Sequence, residues 1–304
     1  MGSVLAWMAL LIVCGVGWRL LTPGGVAADA MRRALTTLVY HLLLPALVLT
    51  TLWSAPLGSD ALRVAGSAAI GVLAMLGLFL LLARWLPFPR PALGAAILAA
   101  AFPNATYMGL PVLETTLGSW TRSVVIQYDL FACTPLLLTI GVLIASRFGE
   151  SDERPTLLHT LLRIPPLWAA VAGAILSLTG VPQPAVLAGG LEMLAMAVIP
   201  LMLLALGMGL RWPGLKASHP GLLLPVVLAQ LLLMPLVVWS AARGFGLSGE
   251  MLIAVALEGA MPSMVLGLVL CDRYRLNTTF YAMAVTLSTA LSLVTLPLWF
   301  ALLQ

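Results

Sequence analysis

Ala101-Phe-Pro-Asn-Ala-Thr-Tyr-Met-Gly-Leu-Pro-Val-Leu113 interrupts an apolar run that extends from about residue 92 to residue 117. The run otherwise reads as one membrane-spanning helix. Pro103 removes a backbone donor and clashes with the preceding turn, so a continuous helix ends there. Gly109 and Pro111 are expected to break the pattern a second time. In hydrocarbon no water satisfies freed N–H and C=O groups, and such a break survives only buried in protein or beside a wet cavity. Asn104, Thr106 and Tyr107 put a polar cluster at the break. That is the pattern of a binding site on a discontinuous helix.

The rest of the chain has the composition such a break requires. Of 304 residues, 62% are hydrophobic and 9% charged, and the mean hydropathy is +1.08. No soluble domain needs this much apolar surface, so the class is an all-α polytopic membrane protein. The longest polar interval, about 147–163, is too short for a separate core. Cys14, Cys133 and Cys271 lie far apart in sequence and read as small buried hydrophobes, with neither disulfide nor metal. The first apolar stretch has an uncharged flank and no convincing cleavage site, so it reads as a membrane helix and not as a signal peptide.

At about 20 apolar residues per crossing, ten segments are expected, near 4–20, 35–53, 63–83, 92–117, 124–146, 164–180, 186–210, 221–241, 251–271 and 279–301. Arg19, Arg32, Arg33, Arg84, Arg90, Arg147, Arg154, Arg163, Arg211, Lys216, Arg273 and Arg275 all fall in odd-numbered loops. Only Arg63, Arg122 and Arg243 fall in even-numbered ones. The positive-inside rule then makes the odd loops cytoplasmic and puts both termini outside a plasma (inner) membrane. Arg84-Trp85 and Arg211-Trp212 read as interface anchors, and Glu150-Ser-Asp-Glu153 as a solvated loop.

The landmarks repeat. Segments 2 and 7 carry Pro45 and Pro200; segment 4 reads Ala101-Phe-Pro103 and segment 9 reads Ala260-Met-Pro262, followed by Gly109 and Gly267 respectively. Because five helices per copy is an odd number, the copies, residues 1–150 and 151–304, enter from opposite sides and form inverted repeats with broken crossover helices 4 and 9.

Pro103-Asn-Ala-Thr-Tyr-Met-Gly-Leu-Pro111 resembles the Pro-Asn-Thr…Met-Gly-Ile-Pro stretch of the auxin efflux carrier family, plant PIN exporters and bacterial relatives. Met261-Pro-Ser-Met-Val-Leu…Cys-Asp-Arg-Tyr274 is similar to that family's ninth helix, and Ser288-Thr-Ala-Leu-Ser-Leu-Val-Thr-Leu-Pro297 to its tenth. Here Ala101 and Ser263 replace an Asn and a Gln of plant members. The resemblance covers essentially the whole chain. It implies a secondary transporter of the bile-acid/arginine/riboflavin superfamily type. Helices 1, 2, 6 and 7 would form a scaffold, often dimeric, and helices 3–5 and 8–10 an elevator-like transport domain. It also implies small organic anions as substrates, mono- or dicarboxylates.

The polar residues of the broken helices are the candidate site. Asn104 offers an amide to a carboxylate and half-helix N-termini add positive dipole ends; the other reading is that Asn104 only satisfies the freed backbone. Pro103, Thr106, Tyr107, Gly109, Pro262, Ser263 and Met264 complete the candidate substrate contacts. Glu258, in an apolar run, costs about 2.5–3.5 kcal/mol as a charge at a helix centre and needs a partner or a cavity. Its surroundings resemble the stretch of bile-acid:sodium symporters whose Glu ligates sodium. The alternatives are a proton carrier or a structurally hydrogen-bonded Glu. Asp129 with Gln127 forms a second ion-coupling candidate. Glu114 and Glu192 read as interfacial, Gln230 and His41 as packing residues. No zinc-protease motif, nucleophile elbow or P-loop is present, so an enzyme is not expected, and no nucleic-acid partner is indicated. An uncoupled uniporter or exporter, or a sensor that binds without transporting, are the other readings.

Overall fold

The computed structural model describes residues 2–54, 58–151, 164–210 and 220–304. Arg154, Arg163, Arg211-Trp212, Lys216 and most of the acidic run after Glu150 lie outside the described residues. Among the described residues, twelve helices account for the fold. In order they are α1 (Gly2–Leu21), α2 (Ala28–Ser54), α3 (Ser59–Leu82), α4 (Arg90–Ala101) and α5 (Ala105–Gly109 running into Leu110–Leu117). There follow α6 (Thr121–Phe148), α7 (Pro165–Leu178), α8 (Ala185–Gly209), α9 (Gly221–Gly244), α10 (Gly249–Gly259), α11 (Gly267–Arg273) and α12 (Thr278–Leu303).

Six of these, α2, α3, α6, α8, α9 and α12, are long and apolar enough to cross a membrane. Each of the ten apolar segments in the sequence is helical, and the fourth and ninth are each split in two, as α4/α5 and α10/α11.

One expectation is corrected. Gly109 and Pro111 do not interrupt the chain, because α5 passes through both. The reason lies in a widened turn. Ala105–Gly109 is a π-helical turn in which the Leu110 N–H donates to the Ala105 carbonyl, five residues back. The same device precedes other helix-interior prolines. Turns at Val39–Leu43, Asp129–Cys133 and Ala229–Leu233 end two residues before Pro45, Pro135 and Pro235. A proline cannot donate to the carbonyl four residues back, and a local π adjustment re-satisfies the ladder around it. At Pro103 no such turn forms. Phe102 is extended, with φ −115° and ψ 105°, the region favoured before proline.

The two breaks complete each other. The Asn104 N–H donates to the Pro262 carbonyl (2.7 Å) and the Met264 N–H to the Phe102 carbonyl (2.8 Å), an antiparallel bridge that pairs Pro103 with Ser263. Pro103 would have bonded the Ala99 carbonyl; the Ser263 hydroxyl donates to that carbonyl instead (2.7 Å). Ser288 Oγ accepts from the Ser263 N–H (3.1 Å), Gln230 Nε2 donates to the Met261 carbonyl (2.9 Å), and the Tyr281 hydroxyl donates to the Met264 carbonyl (2.8 Å). Buried backbone polar groups must be paired, and here a break in one helix supplies the partners for the other.

Packing falls into two groups. In one, α1 packs on the second half of α8, and α2 packs on α7 and α8. In the other, α3 packs on α4 and α9, α9 on α10, and α4 on α12 and the end of α6.

Two surface details differ from the sequence reading. His41 is exposed, edge-on to Tyr40 with ring centroids 5.2 Å apart, and is not a packed histidine: in the widened turn Val39–Leu43 the buried side chains are Val39 and Leu43. Cys14 is exposed as well, whereas Cys133 and Cys271 are buried; all three thiols are free.

Candidate functional site

A cavity of about 210 Å³ lies where α2, α5, α6, α7 and α11 meet. Its polar edge comes from the crossover: Asn104, Thr106 and Tyr107, with Asp129 and Thr134 from α6 and Tyr40 from α2. The remaining wall is apolar, with Leu44, Leu137, Val142, Ile164, Met264 and Val269 among its members, and Arg273 and Tyr274 stand at the end where α11 stops.

Asn104 is 1% exposed. Its backbone N–H is committed to Pro262, yet its side chain does not cap the helix it precedes. Its amide nitrogen is buried with no hydrogen-bond partner among the described residues. An unpaired buried amide carries a desolvation cost of about 1–3 kcal/mol, which a ligand acceptor would remove. Thr106 and Thr134 both donate to Asp129, the latter at 2.9 Å. Asp129 therefore faces the cavity with its carboxylate already held.

The other candidates sit elsewhere. Pro103, Pro262 and Ser263 form the bridge behind the cavity, and the Ser263 hydroxyl is committed to Ala99. Glu258 is fully buried (0% exposed), and neither carboxylate oxygen has a hydrogen-bond partner among the described residues. It packs against Gly109 of α5 and does not line the cavity. A β-carbon on Gly109 would meet Glu258 Oε1 at 2.3 Å and Oε2 at 2.6 Å, which is why a residue without one stands there. Gln127 is buried but lines a different cavity. Asp129 and Gln127, two residues apart, thus open onto different spaces.

That second cavity, about 530 Å³, lies toward the opposite end of α6. Arg122 on its wall donates to Glu114 (2.5 Å) and to Glu192 (2.8 Å). The sequence reading placed both carboxylates at an interface; they are ion-paired to a shared guanidinium. The available signal was Arg122 itself, an isolated basic residue in an even-numbered loop. Gln230, read from the sequence as a packing residue, and Ser288 and Tyr281, given no role there, hold the crossover carbonyls and N–H groups; each acts through a partner far along the chain.

These features together describe a membrane protein of the transporter class: apolar helices, two of them broken and paired, and a cavity at the break. A family model described as "Membrane transport protein" matches residues 3–300, and the chain belongs to that family, which includes the auxin efflux carriers. An uncharacterized transporter of Methanothermobacter thermautotrophicus is 28% identical over 306 residues, covering 98% of both chains. The uncharacterized transporter YfdV of Escherichia coli is 25% identical over 219 residues, 70% of this chain and 69% of its own. A further uncharacterized transporter, of Methanocaldococcus jannaschii, is 25% identical over 211 residues, 68% of this chain and 67% of its own. The family and these relatives are transporters, not enzymes.

Proposed function

We propose that the protein is a secondary transporter of a small organic anion across the plasma (inner) membrane. The observation that carries this reading is Asn104: a buried amide, unpartnered among the described residues, on a residue that lines a cavity at a paired helix break. An anion's carboxylate would accept from it, while the apolar wall takes the body of the molecule. A dry apolar cavity of roughly 150 Å³ is enough to hold benzene, so about 210 Å³ suits a small acid.

The chain would cross the membrane ten times as two inverted repeats, 1–150 and 151–304, with both termini outside. The two packing groups support a scaffold of helical segments 1, 2, 6 and 7 and a transport domain of segments 3–5 and 8–10. The cavity lies between α2 and α7 of the first group and α5, α6 and α11 of the second. A sliding transport domain would carry the crossover past the scaffold, and the scaffold faces would meet in a homodimer. Glu258, buried without a partner, would couple sodium or a proton, making the carrier a symporter of its anion.

The test is thermal stability of the detergent-purified protein in sodium, potassium or choline, at two pH values, with benzoate and malonate as probes. A ligand that binds only the folded state raises the apparent melting temperature by mass action. Stabilisation by an acid that depends on sodium or pH, and loses that dependence in Glu258→Gln, supports coupled transport. Stabilisation indifferent to both in the unsubstituted protein makes it an uncoupled uniporter. No stabilisation by any acid sinks the anion reading.

A further inference from the structure

We propose that Arg122 is the centre of a second carboxylate-binding site, facing the opposite end of the bundle from Asn104, and that the Glu192 carboxylate occupies it in this conformation. The proposal rests on the anion-transport reading for the class of ligand, and on the second cavity for the site.

Two carboxylates share one guanidinium, and they are not equivalent. Glu114 is 17% exposed in its side chain, and its second oxygen is buried. It sits near the end of α5, which a short turn joins to the start of α6, so Glu114 and Arg122 belong to one hairpin. Glu192 comes from α8, whose first half packs on α2, and its side chain is 44% exposed. A half-exposed ion pair contributes little to stability, so Glu192 is the replaceable partner. Exchanging it for a free carboxylate leaves the charge on Arg122's ligands unchanged.

The surroundings accept a ligand. The cavity of about 530 Å³ beside Arg122 is lined by Thr51, Ser119, Ser123 and Gln127, with Asp60, which is paired to Arg63, also on its wall. Arg122 Nε and Thr51 Oγ1 are buried with no hydrogen-bond partner among the described residues, so donors beside the cavity remain unused. A planar guanidinium is well matched to carboxylates. Arriving from this side, an anion would meet Arg122 first. Its binding would also release the Glu192 tie between α8 and the α5–α6 hairpin, because it takes the place of that carboxylate.

Binding of benzoate and of malonate is measured by titration calorimetry on the purified chain carrying Asn104→Ala, which weakens the first site. Adding Glu192→Gln should tighten binding about tenfold, the effect of freeing one charge-assisted hydrogen bond. Adding Arg122→Gln should abolish it. Because Glu192 is half exposed, Glu192→Gln keeps the fold and gives a reading even if Arg122→Gln does not fold. Unchanged affinity on adding Glu192→Gln, or no acid binding in any Asn104→Ala variant, overturns the proposal. Binding to the unsubstituted chain that disappears with Asn104→Ala alone, and does not return with Glu192→Gln, overturns the Arg122 site and leaves the Asn104 reading standing. No binding to the unsubstituted chain sinks that reading too.

Discussion

Replacing Asn104 with Ala should move stability and affinity in opposite directions. The side chain makes no cap bond to α5, and its amide nitrogen is buried without an acceptor. The backbone N–H that bridges to Pro262 is untouched by the substitution. Removing the side chain therefore removes an unsatisfied donor worth about 1–3 kcal/mol of desolvation, offset by the apolar contacts of the lost atoms. The ligand-free protein should melt at the same temperature or a few degrees higher. Binding loses a hydrogen bond to a charged acceptor, about 1.5–3 kcal/mol, so the dissociation constant should rise roughly 10- to 150-fold. The assay is the melting temperature with and without a stabilising acid, on unsubstituted and Asn104→Ala protein side by side. A variant that melts lower when ligand-free, yet keeps its full ligand-induced shift, would refute the reasoning. Asn104 would then be a support for the broken backbone and nothing more.

Other substitutions test the packing around the site. Gly109→Ala should lower stability by about 1–3 kcal/mol, because its new methyl overlaps the buried Glu258 carboxylate. The loss should persist in Glu258→Gln, which has the same bulk, and shrink in Glu258→Ala; an equal loss in all three backgrounds would place the clash elsewhere. Thr106→Val should cost about 1.5–3 kcal/mol in thermal or denaturant unfolding, since it removes one of two donors to a buried Asp129; a neutral result would mean that Thr106 does not hold that carboxylate. Gly207→Ala should also destabilise by about 1–3 kcal/mol or more, because its β-carbon would lie 2.0 Å from the Ile12 carbonyl oxygen across the α1–α8 contact, and backbone cannot step aside. Unaltered melting would show that the two helices have room to part.

The sequence was most legible where physics is local. Hydropathy located the apolar segments, and Pro103 and Pro262 located both breaks, since proline's missing donor acts on its own turn. The place of Asn104 at the break was legible for the same reason, since it directly follows Pro103; that its side chain leaves the backbone uncapped was not. Gly109 and Pro111 misled because glycine and proline tolerate helix ends as readily as a widened turn, and only the five-residue hydrogen bond distinguishes the two. Partners distant in the chain were out of reach. Nothing in the spacing of Ala99 and Ser263, or of Arg122 and Glu192, announces that they touch. Asp129 and Gln127 were grouped by adjacency, whereas helical geometry turns residues two apart to different faces.

The pairing of Pro103 with Ser263 has a consequence for synthesis. When the first five helical segments have emerged from the ribosome, the carbonyls of Ala99 and Phe102 and the N–H of Asn104 still lack the partners that residues 262–264 bring. The early half of the chain must wait in the bilayer with its backbone open, held by water or by the insertion machinery, until the late half arrives to close it. Expressed alone, residues 1–150 should be degraded quickly. Co-expressed with residues 151–304 as a separate chain, the same segment should survive, because the closing bonds need proximity and not covalent continuity.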